Sequence, residues 1–103
     1  MPCIAIYTTT ASREEAQTIA QHLVSNRLVA CAQIDAIESF YTWEGATQHD
    51  QEYRLMLKTT EERYHAVETA IRTLHSYTLP AIYAVTFTHI SQPYAGWIQE
   101  CTA

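Results

Sequence analysis

Two kinds of hydrophobic spacing alternate along the chain. Cys3-Ile4-Ala5-Ile6-Tyr7-Thr8 is a short apolar run, the pattern of a strand buried on both faces. Thr8 to Ala11 forms a connection. Ala16, Ile19, Ala20, Leu23 and Val24 then recur at helical spacing, which predicts one apolar face packed on a sheet. Ser12 and Glu15 open this helix as a capping box: Ser12 caps a backbone N–H and Glu15 reaches back. Asn26 is the expected left-handed stop.

The stretch from Leu28 to Thr59 changes to strand patterning. Its two arms, Leu28–Trp43 and a run ending Tyr53–Thr59, are rich in β-branched and aromatic residues, and Gly45 between them marks a turn. In the second arm Tyr53, Leu55 and Leu57 alternate with Arg54, Met56 and Lys58, predicting one well-buried face. A straight first arm would span about 50 Å. A globule of this length is only about 33 Å across. The hairpin therefore either bends, at Asp35-Ala36, or projects at its tip. A projecting tip bearing Phe40, Tyr41 and Trp43 exposes apolar surface and strand edges, which another copy of the chain would cover.

Helical spacing returns after a second capping signal, Thr59-Thr60-Glu61-Glu62. Tyr64, Val67, Ile71 and Leu74 form its stripe, and the helix is expected to end near His75-Ser76. Ala81–Phe87 reads as the last strand. The segment 93–99 reads as a short helical tail anchored by Trp97 and Ile98. The order strand, helix, strand, strand, helix, strand is the α+β, ferredoxin-like split βαβ arrangement. It has an antiparallel sheet, two helices on one face and a long protruding β-hairpin. The 103 residues form a single domain, 1–103.

Composition narrows function by exclusion. The net charge is −5 with no Lys/Arg cluster, so neither nucleic acid nor an anionic membrane is an expected partner. No apolar run approaches the roughly 20 residues of a membrane span. The three cysteines, Cys3, Cys31 and Cys101, include no C-x-x-C pair, which argues against a disulfide scaffold or a zinc ribbon. Cys31 reads as a small buried thiol. Met1-Pro2-Cys3-Ile4 runs into a strand, so no signal peptide is expected and the predicted location is cytoplasmic. No nucleophile motif appears, and two glycines leave no phosphate cradle.

Metal ligation is the open chemical question. His22 and His65 fall on outer helix faces and read as solvated. His49-Asp50-Gln51-Glu52 lies near the hairpin tip, with Asp50 and Glu52 on one face of a strand. His75, at a helix end beside Tyr77, reads first as a cap on the last carbonyls.

Several stretches together resemble one family: Leu28-Val29-Ala30-Cys31, Ser39-Phe40-Tyr41-Thr42-Trp43-Glu44-Gly45, Glu52 with Leu57-Lys58-Thr59, His75-Ser76-Tyr77-Thr78-Leu79-Pro80, and Tyr94-Ala95-Gly96-Trp97-Ile98. In this order they are similar to the CutA divalent-cation tolerance family. The resemblance implies a homotrimer built by the long strands, a cytoplasmic protein, and association with copper and other divalent cations. It departs from the family pattern at Ser76 and Ala81, where proline and an acid are usual. It departs again at Thr8 and Leu74, where some relatives carry Cys and His. Only His75 remains of that copper constellation, and one imidazole does not make a selective site. The expected function is a non-enzymatic trimer of divalent-cation tolerance that binds copper or another divalent cation weakly, at His75, with no certain cofactor. The alternative is a small-ligand regulatory trimer whose inter-subunit clefts are lined by Glu52, Lys58, His75 and Tyr77. An enzyme using His75 as a base with Tyr77 or Lys58 ranks last, because nothing supplies the activated partner.

Overall fold

A computed structural model describes residues 2–103. Strand β1 (Cys3–Thr10) is followed by helix α1 (Arg13–Ser25), the hairpin strands β2 (Cys31–Trp43) and β3 (Ala46–Thr60), helix α2 (Tyr64–Leu74), strand β4 (Tyr83–Thr86) and helix α3 (Gln92–Cys101). The sheet order is β2-β3-β1-β4, antiparallel throughout, which is the expected ferredoxin-like topology. Ile4, Ile6, Leu55 and Leu57 point to one face and meet Ala16, Ile19, Leu23, Val67 and Ile71 of α1 and α2 in a single core. Each of the Ile, Leu and Val side chains among them, fully buried, contributes about 1.5–3 kcal/mol.

Local chemistry differs from expectation at the starts of α1 and α2 and at the end of α1. Ser12 caps α1 by accepting from the Glu15 N–H at 3.1 Å, but the Glu15 carboxylate does not reach back. It bonds Ser76 instead. Asn26 is not left-handed (φ −95°). Arg27 takes that conformation at φ 59°, and the Leu28 N–H reaches back to the Leu23 carbonyl at 3.0 Å, closing the turn as a Schellman motif. Thr60 makes no side-chain cap; a 3-10 turn, Glu61–Arg63, leads into α2. Val24 is 43% exposed rather than part of the packed face.

The hairpin has no bulge at Asp35-Ala36. Its register runs unbroken from Cys31↔Lys58 through Asp35↔Arg54 to Trp43↔Ala46, and the chain extends 45 Å in its longest dimension, so the tip projects. The second arm starts at Ala46, directly after the turn. The first arm starts at Cys31, because the backbone of Leu28 and Val29 is spent on closing α1. Cys31 is half-buried rather than buried, since β2 is an edge strand. Strand β4 is shorter than the 81–87 run and exposed throughout, being the other edge. Helix α3 crosses the sheet face opposite α1 and α2, where Lys58 reaches Tyr94. Ile98 is its buried anchor and Trp97, 43% exposed, is not.

Candidate functional site

The pleat sends Thr9, Arg54, Glu52 and Ile37 to the face that α1 and α2 leave open. The half of that face nearer the hairpin tip is also free of α3. Strand β1 stops at Thr10, paired with Tyr53, so Glu52 lies just past its end with Ile37 across the strand pair on one side. The segment after α2 fills the other side. The Tyr77 hydroxyl donates to Glu52 Oε2 at 2.7 Å, and Glu52 is only 8% exposed. Burial first, and then this carboxylate, push the Tyr77 phenol above its ordinary range. The Tyr41 phenol is held up likewise, chiefly by its 2.5 Å bond to Asp50.

His75 terminates α2 and turns its ring inward, fully buried. Its Nε2 lies 2.7 Å from the Thr9 carbonyl and its Nδ1 accepts the Tyr77 N–H at 3.1 Å. These partners assign the neutral ring with the proton on Nε2. The imidazole thus ties the loop to β1 rather than capping the helix carbonyls. The Glu15 carboxylate accepts from the Ser76 N–H at 2.7 Å and hydroxyl at 3.1 Å, with Oε2 3.8 Å from His75 Nδ1. A metal ion at His75 would have to displace either the Thr9 carbonyl or the Tyr77 N–H. Among the described residues, Thr8 Oγ1 is sealed and without a partner.

Of the four expected ligand residues, the fold brings Glu52, Tyr77 and His75 together. Lys58 faces the same side but stands six residues along β3, about 20 Å away. There it contacts Tyr94 Oη at 3.4 Å and lies 5.5 Å from that ring. The tip cluster is divided between two faces. His49 pairs with Glu38 at 3.0 Å and stacks on Phe40 at 4.1 Å, whereas Asp50 and Glu52 point the other way. Among the described residues, no three His, Cys, Asp or Glu side chains converge as a metal-binding group. Sequence patterning gave no sign of Glu15 and Ser76 as partners or of Thr9 as the acceptor for His75.

Beside Glu52 runs a groove of about 820 Å³, walled by Ile37, Tyr41, Trp43, Tyr77, Leu79 and Tyr83. Arg54 also lines it, but its guanidinium is engaged by Asp35, at 3.0 and 3.4 Å. No described helix is long and apolar enough to cross a membrane.

The chain is similar over nearly its whole length to proteins of one kind. The divalent-cation tolerance protein CutA of Archaeoglobus fulgidus is 37% identical over 95 residues, covering 92% of this chain and 93% of its own. That of Thermus thermophilus is 38% identical, with 91% and 92% covered. The solved structure described as the periplasmic divalent cation tolerance protein CutA from A. fulgidus superposes with a TM-score of 0.96 at 35% identity, covering 98% of this chain and 99% of its own. CutA1 from Oryza sativa superposes with a TM-score of 0.96 at 32% identity, covering 100% and 95%. The family model for the CutA1 divalent ion tolerance protein matches residues 4–101. The chain belongs to the CutA1 divalent ion tolerance family.

Proposed function

We propose that the protein acts in divalent-cation tolerance as a non-enzymatic homotrimer that binds copper or another divalent cation only weakly, and that it works in the cytoplasm. The observation that carries the assembly is the projecting hairpin. It leaves Phe40, Tyr41 and Trp43 at 69%, 40% and 45% exposure beside a free β2 edge, a surface that single chains rarely leave uncovered. Weak metal binding follows from His75, whose two ring nitrogens already have partners. The same bonds leave His75 no free nitrogen to act as a base, and a raised Tyr77 phenol is the wrong direction for one. The names of relatives span compartments: one from Arabidopsis thaliana is called chloroplastic and the A. fulgidus structure periplasmic. Three free thiols favour a reducing setting here.

Sedimentation at micromolar concentration should give a trimer; a folded monomer would overturn that reading. Calorimetric titration with Cu(II) should give shallow binding, only partly removed by His75→Ala, because exposed imidazoles and carboxylates elsewhere still compete for this ion. A single submicromolar site per chain, abolished by His75→Ala, would overturn it.

A second reading is favoured by the groove. Its size suits a small molecule, and Glu52 and Tyr77 line it, with the buried His75 ring bonded to the Tyr77 and Thr9 backbone behind them. On this reading the trimer senses a small ligand, with Lys58 serving a separate region of an inter-subunit cleft.

A further inference from the structure

We draw no further inference here: the strongest candidate, the groove along Glu52 at the hairpin tip and open sheet face, walled by Tyr41, Trp43 and Tyr83, belongs to the site already described, and nothing in the structure shows what covers it in the assembly.

Discussion

Thr8 is the residue most at odds with its surroundings. It is fully buried in the centre of the sheet, and its hydroxyl has no hydrogen-bond partner among the described residues. An unsatisfied buried hydroxyl costs about 1–3 kcal/mol. Valine has the same shape without that hydroxyl. Thr8→Val should therefore raise stability by about 1 kcal/mol, or roughly 4–8 °C in melting temperature for a domain of this size. A lower melting temperature would show that the hydroxyl is in fact satisfied. His75 is the opposite case. His75→Ala leaves both the Thr9 carbonyl and the Tyr77 N–H without their partner and should cost about 2–4 kcal/mol in urea unfolding. A loss below about 0.5 kcal/mol would mean that the ring is a passenger. The position of His75 at a helix end was legible in the sequence. Its partner was not, because Thr9 lies 66 residues away and no local spacing encodes that pairing. Ser76 shows the same limit. It departs from the proline that the family resemblance implies, and its N–H and hydroxyl both bind Glu15, donors that proline could not supply.

At the scale of elements, periodicity carried far. Every strand and helix of the core was legible from spacing, because each buries one face against the same core and the pattern records that burial. The edges were less so. Strand β4 and the start of β2 depend on where pairing partners end, which composition does not record. The hairpin turn adds a residue-specific case. Glu44 and Gly45 have φ of 51° and 78°, so both central residues are left-handed, as in a type I′ turn. Gly45 was legible as the turn; the strain at Glu44 was not. Asparagine tolerates this conformation better than glutamate. Glu44→Asn should therefore stabilise the tip by a few tenths of a kcal/mol up to about 1, and Gly45→Ala should cost about 1. Amide hydrogen exchange of the Trp43–Ala46 region reads both directly. Slower exchange in Gly45→Ala would contradict the assignment.

On the scale of the molecule, the chain is long for its mass. Its longest dimension is 45 Å against 26 and 21 Å, and its Cα radius of gyration is 14.2 Å, compared with about 13 Å for a compact domain of this length. The excess is the hairpin, whose outer part has no helix to rest on. Tyr83 and Val85 on β4, and Tyr94 and Trp97 on α3, add exposed apolar area around the open face. A chain of this size buries a modest share of its surface, so covering these groups in an assembly would add to folding stability itself. Association then shifts unfolding by mass action. The melting temperature should rise with protein concentration across the micromolar range, and Trp43→Ala should lower it and flatten that dependence. Truncating a large aromatic that is buried between copies costs about 3–5 kcal/mol, whereas a ring left 45% exposed would cost far less. A concentration-independent melting temperature, unchanged in Trp43→Ala, would mean that the hairpin tip stands alone in solvent and that its aromatic residues serve something other than a second copy of the chain.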